Sequence, residues 1–231
     1  MNMLVLWLQN AARWFAQLLH PRRCALCRAA LPVGARAMIC ARCAPRLRSD
    51  YRNTHALSVP GADGADAPLL YTGEAAAALK RYKFYRETSL CRWFSAQAAA
   101  CLAAHHADWR PELITYVPLG AGRRWKRGFN QSEAVAREVG KQSGLPVRAT
   151  LRKRPMQGKQ SHRSAQERQR AAKGVFCPIT QNPAKGKRVI LIDDVVTTGA
   201  TAADAVRALR EAGASAVFVL AVTRTPLYRK K

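Results

Sequence analysis

The chain has 231 residues, 48% hydrophobic, 23% charged and 7% aromatic, which is enough apolar side chain for one medium α/β domain plus a small appendage. Disordered and fibrous classes are excluded, and so is a multi-pass membrane protein, because no apolar run reaches the ~18 residues of a span. Lys and Arg outnumber Asp and Glu 39 to 14, and a net charge of +25 implies a polyanionic partner. The excess is clustered. Residues 1–52 hold nine basic side chains against one acid, and residues 120–173 hold fifteen against three.

In chain order, residues 3–19 carry Leu4, Leu8, Phe15 and Leu19 at helical spacing, with Val5, Trp7 and Leu18 beside them. Only Arg13 lies on the polar face, so this helix is expected to pack on its own domain or on a partner and not on a membrane. It has no basic n-region and no small-residue cleavage site. The expected location is therefore the reducing cytoplasm, where paired thiols ligate metal more often than they form disulfides. Cys24-x2-Cys27-x12-Cys40-x2-Cys43 follows. Its four thiolates in two knuckles suit tetrahedral Zn²⁺ in a closed structural site, with Arg22, Arg23, Arg28 and Arg42 offsetting the negative charge. A pair of redox dithiols is the competing reading, and no βαβ pattern flanks the cysteines to support it. Cys91, Cys101 and Cys177 are expected to be inert core thiols, and His20, His55, His105, His106 and His162 solvated or satisfied.

SVPGADGADAP at 58–68 reads as a linker, dividing a helix and four-cysteine zinc-ribbon module (1–57) from an α/β domain (69–231). The spacing then predicts a strand at 68–73, helices at 74–85 and 88–105, a strand at 112–119, and a helix over 131–143 capped near Asn130. Residues 152–173 show little periodicity and read as a mobile loop or surface helix. KRVILIDD (187–194) and SAVFVLAVTR (215–224) are buried strands flanking a helix at 200–212 that Gly213 closes. Continuous apolar strands around a helix mean parallel pairing through a right-handed crossover.

The most informative stretch is Val189 to Thr201, VILIDDVVTTGAT. An apolar strand delivers Asp193 and Asp194 to its C-terminal edge, where α/β folds bind ligands. A turn of hydroxyls and one glycine then opens a helix, with N–H groups suited to a monoester phosphate. Carboxylates beside a phosphate need sugar hydroxyls or Mg²⁺ as partners, so the pattern asks for a phosphorylated sugar. No GxGxxG or GxxxxGK[ST] is present. The stretch resembles the phosphoribosyl-pyrophosphate (PRPP) signature of type I phosphoribosyltransferases. That resemblance implies that Asp193 and Asp194 hold the ribose hydroxyls and that Val196, Thr197, Thr198, Gly199, Ala200 and Thr201 cradle the 5′-phosphate. Purine-type members carry a third acid where Thr197 stands, and a Thr hydroxyl is no base near neutral pH.

A second signature is Tyr116-Val117-Pro118-Leu119, then Arg123 and Arg127-Gly128-Phe129-Asn130-Gln131-Ser132-Glu133. Basic residues in a Gly-rich turn supply counter-charge for pyrophosphate, with Leu119, Arg123, Arg127, Asn130 and Gln131 as its loop. Together with Leu79-Lys80, Lys83-Phe84, Gln160, Glu167-Arg168 and Gly174-Val175-Phe176, it resembles the ComF family over about residues 20–225. This family comprises phosphoribosyltransferase-like proteins associated with DNA uptake in natural transformation, with an N-terminal zinc finger. Ala171 stands where that family usually has Asn, and Tyr85 where it has Gly. The resemblance implies a type I phosphoribosyltransferase-like parallel sheet flanked by helices, with a small N-terminal four-cysteine zinc module. It also implies a role in DNA uptake that binds single-stranded DNA and carries a Mg²⁺-PRPP pocket.

The electrostatic track for DNA is expected at Arg124, Trp125, Lys126, Arg152, Lys153, Arg154, Lys159 and Arg163, with Trp125, Phe129 and Tyr82 or Tyr85 as stacking groups. A working phosphoribosyltransferase is the alternative, with Asp193, Asp194, Arg123 and Arg127 as candidate catalytic groups and no acceptor identified. A third reading is an adaptor that presents the zinc module to a DNA-uptake helicase or recombination mediator.

Overall fold

The computed structural model describes residues 21–154 and 174–226, together with Trp7. The rest of the expected helix at 3–19, and most of the basic stretch at 152–173 with Lys159 and Arg163, lie outside the described residues.

Three of the four cysteines precede a short helix, α1 (Cys43–Arg46), which begins at the fourth and runs into a π-helical turn at Leu47–Tyr51. Next come β1 (Gly64–Asp66), β2 (Leu69–Leu70), α2 (Gly73–Phe84), α3 (Leu90–Trp109), β3 (Leu113–Tyr116), α4 (Ala121–Arg127) and α5 (Gln131–Ser143). The chain continues through β4 (Leu151–Lys153), β5 (Phe176–Pro178), β6 (Arg188–Val196), α6 (Ala200–Glu211) and β7 (Ala216–Arg224). The main sheet has the order β1-β7-β6-β3, all parallel, and β2 continues along the edge of β7 beyond β1. β7 is buried at every position. The continuous apolar runs follow from burial on both faces. Ile190 and Ile192 pack with Leu220 and Val222 in one core, whereas Val189 and Leu191 pack with Val217 and Val219 against Val206 and Leu209 of α6. Among the described residues no helix is long and apolar enough to cross a membrane.

Two expectations need correction. Residues 58–68 are not a linker. Within them β1 pairs with Phe218–Leu220, Val59 and Ala67 are buried, and the Asp63 carboxylate accepts the Val217 N–H. Gly64-Ala65-Asp66 has no apolar rhythm of its own, and its strand conformation comes from the open edge of β7. The start of the stretch read as a loop or surface helix at 152–173 also differs, since Arg152 and Lys153 lie on β4, which pairs antiparallel with β5.

The cysteine module does not stand apart from the sheet. Leu26, Leu31, Leu47 and Tyr51 belong to the same core as Leu79, Tyr82, Phe94 and Leu220. Arg46 grips Glu74 of α2 through two hydrogen bonds, 2.7 and 3.1 Å, and the Tyr51 hydroxyl donates to the same carboxylate. That hydroxyl, and then the guanidinium, hold the Glu74 carboxyl down at about 2. Arg81 reaches back from α2 to the Ala25 carbonyl at 2.5 Å.

Candidate functional site

β6 ends in two carboxylates whose surroundings differ. Asp193 is buried, and its Oδ1 accepts the Ser132 hydroxyl at 3.4 Å and the Asp194 N–H at 2.7 Å. Burial, and then the Asp194 charge, push the Asp193 carboxyl up to about 7. Asp194 pairs with Lys83 Nζ at 2.8 Å, a lysine that the last turn of α2 carries to the strand end. Past Asp194 the chain turns through exposed Thr197 and Thr198 to Gly199, whose left-handed φ of 78° caps α6. The first N–H groups of α6 have no carbonyl within the helix to bond, which leaves an electropositive cradle at the turn.

The opposite wall grows from β3. Asn130 staples it, accepting the Ser132 N–H at 3.1 Å to cap α5 and donating to the Val117 carbonyl at 3.0 Å. Between them lies α4, seven residues with none buried, closed by Gly128 at φ 80°. The expected Gly-rich turn is therefore a short helix that displays Arg123 and Arg127 one turn apart. Arg127 donates to Gln131 Oε1 at 3.1 Å and lies 4.7 Å over the Phe84 ring. Lys153, on β4, joins Arg123, and burial, then the charge of Arg123, lower the lysine's pKa.

A cleft of about 500 Å³ lies between these walls. Of the expected sugar-phosphate and pyrophosphate residues, Asp193, Asp194, Thr197, Ala200, Thr201, Leu119, Arg123, Arg127, Asn130 and Gln131 all line it. Val196 is buried in the core, and Thr198 and Gly199 belong to the turn; none of the three is in the cleft's lining. Lys153, expected on the DNA track, lines the cleft instead. Arg124, Trp125, Lys126, Arg152 and Arg154 are exposed. Phe129 and Tyr82 do not serve as free stacking groups. Their rings pack on each other at 5.4 Å, with Tyr82 fully buried.

Sequence reasoning named Lys83 and Ser132 only as motif letters and missed Asp204. Asp204 accepts the N–H groups of Gly174 and Phe176 at 2.8 and 2.9 Å and pairs with Arg207, so its charge is spent on holding β5 against α6. The cleft thus gathers Lys83, Arg123, Arg127 and Lys153 with three acids, two of them, Asp194 and Asp204, already ion-paired. This balance favours an anion carrying hydroxyl groups.

The sulfur atoms of Cys24, Cys27, Cys40 and Cys43 lie within 4.8 Å of one another, an arrangement that could hold a metal. Cys24 Sγ accepts the Cys40 N–H at 3.3 Å, and Cys27 and Cys40 are 3.7 Å apart. Backbone donation to sulfur and four convergent thiols fit a closed zinc centre.

A profile of the phosphoribosyl transferase domain matches residues 126–230. The chain is 36% identical over 117 residues to the DNA utilization protein YhgH of Escherichia coli (strain K12), covering 50% of each. It is 32% identical over 116 residues to Competence protein F of Haemophilus influenzae, covering 49% of this chain and 51% of that one. The chain thus spans about half the length of the curated relatives it matches. Among solved structures it is similar to the allosteric regulatory enzyme of purine biosynthesis, at 22% identity and a TM-score of 0.39, over 55% of this chain and 25% of that one. The architecture is a type I phosphoribosyltransferase-like parallel sheet flanked by helices, with a cysteine cluster near its N-terminal side. Most of the cleft lies in that phosphoribosyl transferase domain, and the curated relatives to which the chain is similar are named for competence and for DNA utilization, as ComF-family proteins are.

Proposed function

We propose that this protein acts in DNA uptake in the cytoplasm, engaging single-stranded DNA on its basic face and holding Mg²⁺-PRPP or a related sugar phosphate in the cleft. The observation that carries the reading is the convergence of Lys83, Arg123, Arg127 and Lys153 on the strand-end acids and the α6 turn, in a chain similar to proteins named for competence and DNA utilization. Asp193 and Asp194 accept from the ribose hydroxyls, the Val196–Thr201 turn donates to the 5′-phosphate, and the cations of the facing wall hold the diphosphate. Mg²⁺, when bound with the ligand, supplies further counter-charge. Zn²⁺ sits on Cys24, Cys27, Cys40 and Cys43 as a structural ion. Phe84, Tyr85 and Trp125 are exposed large aromatics. Arg127 over Phe84 joins them to the cleft rim, which supports base stacking beside a phosphate track. A DNA-uptake helicase or recombination mediator is the protein partner this role implies.

Titrating zinc-loaded protein with Mg²⁺-PRPP should raise its melting temperature to a plateau, and Asp193→Asn with Asp194→Asn should abolish the rise. No shift of the wild type at millimolar ligand would sink the pocket. For DNA, the logarithm of affinity for single strands should fall with log salt at a slope of about −0.7 per phosphate contacted. Trp125→Ala should cost about 1–3 kcal/mol, the range for one stacked base. Affinity indifferent to salt would remove the track.

Phosphoribosyl transfer is a second reading, favoured by Asp193, Asp194, Arg123 and Arg127 lining one cleft. Thr197 leaves the turn without the acid of the purine-type enzymes, so the acceptor must bring its own nucleophile or find its base elsewhere. Pyrophosphate release across a panel of nucleobases distinguishes this from binding alone.

A further inference from the structure

On the edge of the sheet away from β3, three metal-ligating side chains from two elements meet. Asp66 ends β1, and Cys101 and His105 lie four residues apart on one face of α3. The Cys101 thiol is 3.3 Å and His105 Nε2 is 2.7 Å from the same oxygen, Asp66 Oδ2. The other carboxylate oxygen, Oδ1, is occupied by the Ala67 N–H at 2.6 Å, which turns Oδ2 toward α3. The His105 ring is stacked on Trp109 at 4.3 Å and 5°, and Trp109 is stacked in turn on Phe218 of β7. Gly64 makes room for that stack, since a Cβ there would stand 3.1 Å from Trp109 Nε1. The carboxylate and the imidazole are therefore both held in orientation by a supporting shell, the arrangement that metal ligands require. The side chains of Asp66 and His105 are 28% and 33% exposed, which leaves a path from solvent.

We propose that Asp66, Cys101 and His105 form a second metal site, taking Zn²⁺ through one oxygen, one sulfur and one nitrogen, with water in the fourth position. The donor set is that of a borderline divalent cation. A carboxylate and a thiolate balance the ion's double charge, and the neutral imidazole completes the ligands; the thiol proton leaves to solvent on binding. Tetrahedral zinc spaces its ligand atoms by about 3.5 Å, given bond lengths of about 2.0–2.3 Å. The Cys101–Asp66 distance meets this already, and His105 must draw back from Asp66 by less than about 1 Å. A bound ion clamps β1, a short edge strand with no apolar rhythm of its own, to α3. His105 was expected to be a solvated or satisfied ring and is satisfied by Asp66, whereas Cys101, expected to be an inert core thiol, meets the same carboxylate oxygen. The site is independent of the cleft and of the cysteine module.

The test strips full-length protein of metal, reloads it with Zn²⁺ or Co²⁺, and counts ions per chain by elemental analysis, for the wild type and for Cys101→Ser and His105→Ala. The wild type should take up one equivalent more than either variant. Its cobalt form should show an extra thiolate-to-metal charge-transfer contribution that Cys101→Ser removes. Both variants alter partly exposed helix positions, and matching circular dichroism certifies that they are folded. Equal metal content in wild type and variants overturns the site, leaving a hydrogen-bonded cluster. The wild-type count is a second arm that needs no variant: saturation at the cysteine module's single equivalent overturns the site equally.

Discussion

Cys43→Ala is expected to destabilise the whole chain by about 4–5 kcal/mol or more, in a single cooperative transition. The zinc centre proposed for the four cysteines would tolerate no missing thiolate, and the side chains it would organise are not confined to the module. Leu47 and Tyr51 follow Cys43 directly and enter the core shared with Leu79, Phe94 and Leu220. Tyr51 and Arg46 also meet on Glu74, so loss of the metal loosens the face of α2 that carries Lys83 to the cleft. Denaturant unfolding of zinc-loaded wild type and variant checks this. Two separate transitions, with the later one unchanged by the substitution, would mean that the module folds by itself and merely rests on the domain.

Lys83→Met should cost about 3 kcal/mol or more at pH 8 and much less near pH 4. The Lys83–Asp194 pair is well covered, with 12% and 16% of the side chains exposed, and removing one partner of such a pair leaves a desolvated charge. Lys83 also opposes the upward shift of Asp193, so its loss raises that carboxyl further above its ordinary 3.8. The folded state then binds a proton that the unfolded state has already released. Stability falls as pH rises through the unfolded value toward the folded one, and the penalty disappears below about 4, where both states are protonated. Unfolding measured at the two pH values decides the matter. An equal loss at both would assign Lys83 to packing and not to charge balance.

The legible parts of this protein are those in which local pattern and final environment agree. β6 and β7 are long apolar runs because both faces of the sheet are covered, and α5 begins at Asn130 because an amide cap there satisfies the Ser132 N–H. The paired acids and the TTGAT turn were readable as a site because strand, turn and helix follow one another without interruption. The missed parts owe their structure to distant partners. β1 and β2 are five residues in all, and only the edge of β7 makes them strands. α4 has no buried residue and therefore no apolar stripe to find. Lys153 reaches the cleft through the β4–β5 pair, whose three-residue strands are too short to show alternation. Cys101 and His105 lie 35 and 39 residues beyond Asp66 in sequence, out of the reach of any motif.

The pairing of β1 with β7 sets a timetable for folding. Asp63 accepts from Val217, and Gly64 lies opposite Phe218, about 150 residues later in the chain. At ribosomal rates of ~5–20 residues per second, the edge strand waits roughly 8–30 s for its partner to emerge. The cysteine knuckles lie within 20 residues of one another and can close during that interval, whereas the sheet cannot be completed until β7 leaves the ribosome. If Zn²⁺ occupies the cysteines as proposed, a nascent chain of this protein therefore carries closed knuckles ahead of an unfinished sheet. Contacts of such long range make the final step slow, and they expose the apolar β6 before its neighbour arrives.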